Sequence, residues 1–287
     1  MKLKSIAVIL ALLVPLSGFC GYLITTPDSL MNNSCDYLVI THGNFTNALY
    51  PLCQLRESLG LTVKMAEVSL IYSTFNSGPR PDRIKAFLQQ VYDHWQTRPT
   101  YVLLVGDACR DSTRDDYVPS KLFNKFSYYY YGGMTQHCSD NWYVQLAGHD
   151  SIPELVLGRL PVSTAAQVES LVRKIILYET MPDTGVWTRT ILLAASTDFI
   201  GHATDLDTSF YQPAGDSVYK VYESQGNSAF LRQKVRAGIN QGAVLTTSIT
   251  HGTQPPAWVG STRTLFSYQD VDSLTNFDRL TISLGCG

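Results

Sequence analysis

The chain has 287 residues, 45% of them hydrophobic and 16% charged, with a formal net charge of -2. That composition suits a folded domain with a large core or two smaller ones. It offers no basic field for holding a polyanion, so nucleic-acid binding is not expected. The charges are scattered, and no heptad run, low-complexity tract or internal repeat stands out.

Residues 1–20 stand apart. Lys2 and Lys4 precede an apolar run from Ile6 to Leu16, closed by Ser17, Gly18, Phe19 and Cys20. The run is short for a bilayer span, and the pattern reads as a secretory signal peptide cleaved near Cys20–Gly21. The alternative is an uncleaved N-terminal anchor; Phe19 before Cys20 argues against lipidation. The expectation is an extracytoplasmic protein, secreted, periplasmic or at the cell surface, with no stable membrane insertion once the signal is removed. Beyond Cys20 five cysteines remain, Cys35, Cys53, Cys109, Cys138 and Cys286. In an oxidising compartment an odd number leaves at least one thiol unpaired. No pair has zinc-site spacing.

Strand-length apolar runs then alternate with amphipathic segments. Tyr37–Ile40 reads as a strand, Asn44–Leu59 as a helix stopped by Gly60, and Leu61–Met65 as a second strand. Pro81 opens a helix carrying Ile84, Phe87, Leu88, Val91 and Trp95 on one face. Tyr101–Val105 and Leu155–Leu157 are further strands, and Ser163 caps a helix to about Tyr178. Met181–Gly185 breaks the pattern, so subdomains are expected over 34–184 and 185–287. In the second, strands are predicted at Ile191–Ala195, Ser217–Tyr222, Ala243–Ile249 and Leu280–Leu284, with a helix over Phe230–Ile239. Apolar strands separated by helices imply mostly parallel sheets covered on both faces, in two side-by-side α/β subdomains.

Asp107, Asp198, His251 and Cys286 all fall just past predicted strands, where open parallel sheets bind ligands. His251 is followed by Gly252, and Cys286 lies between Gly285 and Gly287. An imidazole near a thiol can take its proton and return it to a leaving amine. Glycine turns let a substrate approach backbone N–H donors. A histidine after a strand also has a purely structural reading. No Gly-x-Ser-x-Gly elbow or P-loop is present.

The wider text is more specific. Ser248-Ile-Thr-His-Gly-Thr253, Ala257-Trp258, Leu274-Thr-Asn276 and the run to Cys286 resemble the gingipain family of cysteine peptidases. So do Leu104-Val-Gly-Asp107, Ser139-Asp140, Gly148-His-Asp150, Glu154 and Leu157-Gly-Arg159 upstream. The resemblance runs from about residue 36 to the last. It implies a caspase-like α/β fold and endopeptidase activity on protein or peptide substrates. It maps the nucleophile to Cys286, the base to His251 and the acid that orients it to Asp198. The oxyanion donors would be the N–H groups of Gly252 and Cys286. It further implies a structural Ca2+ held by Asp107, Asp150 and Glu154 with the carbonyls of Ala147 and Ile152. Asp205 or Asp207 would receive a basic substrate side chain, although either also reads as a helix cap, and Trp258 would cover substrate or pack the turn. Thr250 stands where the family often has glycine. The text ends one residue after Cys286, where family domains continue, so the second subdomain reads as incomplete. Two other roles fit the resemblance: a surface sortase-like peptidase of a secretion system, and a non-catalytic scaffold.

Overall fold

The computed structural model describes residues 21–108, 117–123, 137–148, 150–180, 185–253, 256–276 and 282–286, with His137 and residues 282–286 described by their backbone alone. The predicted signal segment and Cys109 lie outside these residues. The chain divides into two compact units, Met1–Val172 and Arg173–Gly287. The division falls inside a helix, Ala165–Thr180.

In the first unit, strands β1 (Leu23–Ile24), β2 (Tyr37–Thr41), β3 (Val63–Glu67) and β4 (Tyr101–Val105) precede a short antiparallel pair, β5 (Lys121–Phe123) and β6 (His137–Ser139). Strand β7 (Val156–Leu160) follows. Among the described residues the main sheet is wholly parallel, in the order β1-β3-β2-β4-β7. Helices α1 (Pro27–Met31), α2 (Thr46–Ser58), α3 (Val68–Thr74) and α4 (Arg80–His94) supply its cover, and the first half of α5 (Ala165–Thr180) belongs to the same unit. Successive strand side chains point to opposite faces, so Leu38 and Ile40 join one core with Leu104, Ile84, Phe87 and Leu88. Val39 points the other way and is equally buried. Burial on both faces is why β2 reads as an unbroken apolar run rather than an alternating one.

Gly158 and Arg159, expected just past a strand, lie inside β7. There Arg159 grips Asp140 through two bonds, Nε to Oδ2 at 2.6 Å and Nη2 to Oδ1 at 2.8 Å. Its Nη1 also donates to the carbonyls of Gly106 and Val118, each at 2.7 Å. The distant Ser139-Asp140 and Leu157-Gly-Arg159 texts thus form one network. Arg159→Lys is expected to destabilise the protein by about 2 kcal/mol, because an ammonium cannot reproduce the planar fork and the two carbonyls lose their donor. Urea unfolding measures this, and an unchanged midpoint would refute the role.

In the second unit, strands β8 (Thr190–Ala195), β9 (Ser217–Tyr222) and β10 (Leu245–Ile249) are followed by β11 (His251–Gly252), β12 (Ala257–Val259), β13 (Thr264–Ser267) and β14 (Ile282–Cys286). Helices α6 (Ile200–Leu206), α7 (Ser228–Gln241) and α8 (Tyr268–Val271) intervene. The parallel sheet runs β14-β10-β8-β9, and β11, β12 and β13 make a small antiparallel sheet that the sequence reading missed. Leu192 and Ala194 pack on one face with Leu231 and Val235 of α7 and with Leu265. Ile191, Leu193 and Ala195 pack on the other with Ala203 and Tyr211. Gly238 lets α7 come close: a Cβ there would sit 3.0 Å from the side chains of Leu192 and Tyr219. Among the described residues no helix is long and apolar enough to cross a membrane.

Candidate active site

The order of the second sheet arranges the site. Cys286 ends β14, His251 follows β10, Asp198 follows β8, and Glu223 follows β9. Strands parallel and adjacent in that order deliver these four residues in a row along one carboxyl edge. The register pairs Ile249 with Cys286 on one side of β10 and with Ala195 on the other. Neighbouring strands lie about 4.8 Å apart. The backbone of Cys286 is therefore next to Ile249, two residues before His251.

His251 and Asp198 are in contact, with Nε2 to Oδ2 at 3.2 Å; both side chains are nearly half exposed. Ser261 Oγ donates to the same Oδ2 at 2.8 Å. The Ser261 hydroxyl first, and His251 next, hold the Asp198 carboxyl below the usual carboxylate range. The Phe199 ring lies 5.0 Å from the His251 ring and flanks it. With Nε2 engaged by Asp198, Nδ1 is the ring nitrogen left to exchange a proton.

The turn bearing His251 is anchored from both ends. Thr250 is buried, and no non-glycine among the described residues has a positive φ, so threonine fits there without left-handed strain. His251 and Gly252 pair with Val259 and Trp258 across β11 and β12. Trp258 packs on Phe266, ring centroids 5.1 Å apart, and on the core beneath α7. Of its two expected roles, packing the turn is the one these contacts support. At Gly252 a Cβ would meet nothing within 4 Å among the described residues.

Glu223 and Ser261 were not among the expected site residues. Glu223 is 1% exposed. Its carboxylate accepts from the backbone N–H groups of Thr197 (2.9 Å), Ser261 (3.2 Å), Thr262 (2.9 Å) and Arg263 (3.2 Å). Burial pushes its carboxyl up, but these donors outweigh burial and hold it at about 2, against 4.5 ordinarily. Its contribution to stability is thus complete above about pH 5 and is lost as the pH falls towards 2. The shift corresponds to about 3 kcal/mol. The gap in unfolding free energy between wild type and Glu223→Gln is expected to narrow by that amount between pH 6 and pH 2. Parallel denaturant curves across that range would refute it. The signal was in the sequence: Glu223 immediately follows the strand predicted at Ser217–Tyr222.

Asp207, one of the two acids expected to receive a basic substrate side chain, is held inside the fold. It is 1% exposed, is ion-paired with Lys220, and accepts from Gln212 Nε2 at 2.7 Å. It caps no helix start either, since the chain passes from α6 into a π-helical turn, Asp207–Tyr211. Asp205 is exposed within α6.

The expected calcium ligands do not form one coordination sphere. β4 and β7 are parallel, with Tyr101 opposite Val156 and Val105 opposite Leu160. Glu154 precedes the start of β7, whereas Asp107 lies past the end of β4 and donates its N–H to Val162 O at 2.8 Å. At about 3.3 Å per residue they are on the order of 20 Å apart. No three histidine, cysteine or acidic side chains among the described residues gather as metal ligands. The loop that holds Ala147, Asp150, Ile152 and Glu154 is tied by the chain's own groups. Lys85 Nζ donates to Trp142 O and Gln145 O at 2.6 and 2.5 Å, and Leu146 N–H donates to Glu154. Asp150 Oδ1 accepts from Ile152 N–H at 2.9 Å. We derive no step through calcium.

A family model described as Peptidase family C25 matches residues 31–287. Lys-gingipain of Porphyromonas gingivalis is 23% identical over 272 residues, covering 91% of this chain and 14% of that protein. Lys-gingipain W83 of the same organism is 23% identical over 277 residues, with the same coverage. The chain thus spans 14% of the length of these relatives. Among solved structures, the complex of Porphyromonas gingivalis RgpB pro- and mature domains matches with a TM-score of 0.70 at 21% identity, over 87% of this chain and 55% of that one. A structure described as "Structure of Protease" matches with a TM-score of 0.64 at 21% identity, over 91% and 52% of the two chains. These likenesses establish the fold: parallel sheets flanked by helices, of the caspase-like gingipain kind. With its family model spanning nearly the whole sequence, the chain belongs to peptidase family C25.

Proposed function

We propose that this protein is a secreted cysteine endopeptidase that hydrolyses protein or peptide substrates with Cys286 as nucleophile and His251 as general base. The observation that carries the reading is the row of Cys286, His251 and Asp198 on adjacent strand ends, with His251 Nε2 already on Asp198. Asp198 accepts a hydrogen bond from Nε2–H and keeps its negative charge, while Nδ1 takes the proton of the Cys286 thiol to give the imidazolium. The thiolate adds to the scissile carbonyl, and the N–H groups of Gly252 and Cys286 receive the oxyanion. The imidazolium then protonates the leaving amine. Water, activated by the same Nδ1, releases the acyl group and restores the thiol. Secretion rests on the pattern of residues 1–20. Because Asp207 is buried and ion-paired with Lys220, we assign no preference for a basic side chain to it.

The test is labelling with a thiol-directed peptidyl probe at neutral pH, followed by cleavage of a peptide panel. Labelling confined to Cys286, with turnover of free peptides, is expected. Turnover only of precursors bearing secretion signals points instead to a sortase-like role. An unreactive Cys286 points to a non-catalytic scaffold.

A further inference from the structure

We infer that Glu223 is a positioning residue for the Asp198–His251 pair, the buried carboxylate that binds the loop before Asp198 and the turn behind it into one frame. The inference rests on the assignment of His251 as base. Glu223 itself touches no reacting atom.

Two routes connect Glu223 to Asp198. Through Oε2 it holds the N–H of Thr197, the residue covalently joined to Asp198. Through the same oxygen it holds the N–H of Ser261, whose hydroxyl donates to Asp198 Oδ2. That Oδ2 is also the atom facing His251 Nε2. Backbone and side chain of Asp198 are therefore set by contacts that converge on one carboxylate. The other oxygen, Oε1, takes Thr262 and Arg263 N–H, and Arg263 Nη1 donates to the Glu223 carbonyl at 3.0 Å. The turn is closed by Gly260 N–H to Arg263 O at 2.7 Å. A Cβ on Gly260 would lie 2.1 Å from the Glu223 carboxyl, so the turn is wrapped directly around the anion.

The arrangement has a functional logic that packing alone does not supply. Asp198 is exposed and rotates freely unless something fixes it, and an exposed acid orients an imidazole only if its own carboxylate is held. Four N–H donors from two segments need a full anion, which an amide cannot replace, because its NH2 would face an N–H.

The experiment compares wild type, Glu223→Gln, Glu223→Asp and Ser261→Ala. The Nε2–H or Nδ1–H tautomer of the neutral His251 ring is read by long-range nitrogen-15 correlation, alongside kcat and KM. Wild type is expected to hold Nε2–H. Glu223→Gln is expected to show a mixture of tautomers, with kcat down about tenfold to a hundredfold and KM within about twofold. Glu223→Asp, which keeps the charge, should recover part of both. Ser261→Ala should shift the tautomer in the same direction by removing one route. A folded Glu223→Gln with the wild-type tautomer and kcat within about twofold overturns the inference. If that variant does not fold, wild-type behaviour of both Glu223→Asp and Ser261→Ala overturns it. A wild type that cleaves nothing overturns the peptidase reading, while the tautomer comparison still decides the role of Glu223.

Discussion

Cys286→Ala is expected to lower kcat/KM for peptide cleavage by about 10⁴-fold or more, to whatever the oxyanion donors and substrate binding sustain alone. His251→Ala should fall as far, and the double variant little further. Nucleophile and base act as one unit, so removing either removes the whole covalent route. The strand register makes this pair the one to test: Cys286 is paired with Ile249 on β10, and His251 leaves the same strand two residues later. Peptide turnover and probe labelling give the measurement, with thermal melting as the control for folding. Turnover within about tenfold of wild type in either variant, from a folded protein, would exclude this pair as the catalytic one.

Asp198→Asn should cost about 10²-fold in kcat at neutral pH. The carboxylate accepts from His251 Nε2 and from Ser261 Oγ through the same oxygen. An asparagine that turns its NH2 towards Nε2 favours the Nδ1–H tautomer, and the ring then has no lone pair for the thiol. A buried triad acid is worth about 10⁴-fold when changed in this way. Here 49% of the Asp198 side chain is exposed, so water competes for its place and the expected loss is smaller. Because Ser261 and His251 hold its carboxyl low, Asp198 stays anionic through the weakly acidic range, and the wild-type advantage should persist there. Single-turnover kinetics separate the chemical step from binding. A change under about threefold would mean that Asp198 does not orient the imidazole.

The elements themselves were legible where periodicity is strong. β9 occupies the predicted Ser217–Tyr222, and α4 buries Ile84, Phe87, Leu88 and Val91 as its spacing required. Both parallel sheets follow from runs that bury both faces. The misreadings have specific causes. β11, β12 and β13 are two to four residues long and carry no period to recognise. The ion pair of Asp207 was not legible because its partner, Lys220, is 13 positions away on the next strand. Text similarity carries no sense of which end of a strand a residue occupies, and of the expected calcium ligands Asp107 and Glu154 flank paired strands at opposite ends.

By itself the sequence determined the layered α/β class and the delivery of His251, Asp198 and Cys286 at strand ends, since both depend on local apolar runs and the turns that stop them. Strand order depends on long-range pairing, which no local pattern encodes. Only the tertiary structure decided that β14, β10, β8 and β9 are neighbours in that order. That order sets Asp198 against His251 and brings Glu223, with Ser261 from a distant turn, in behind them.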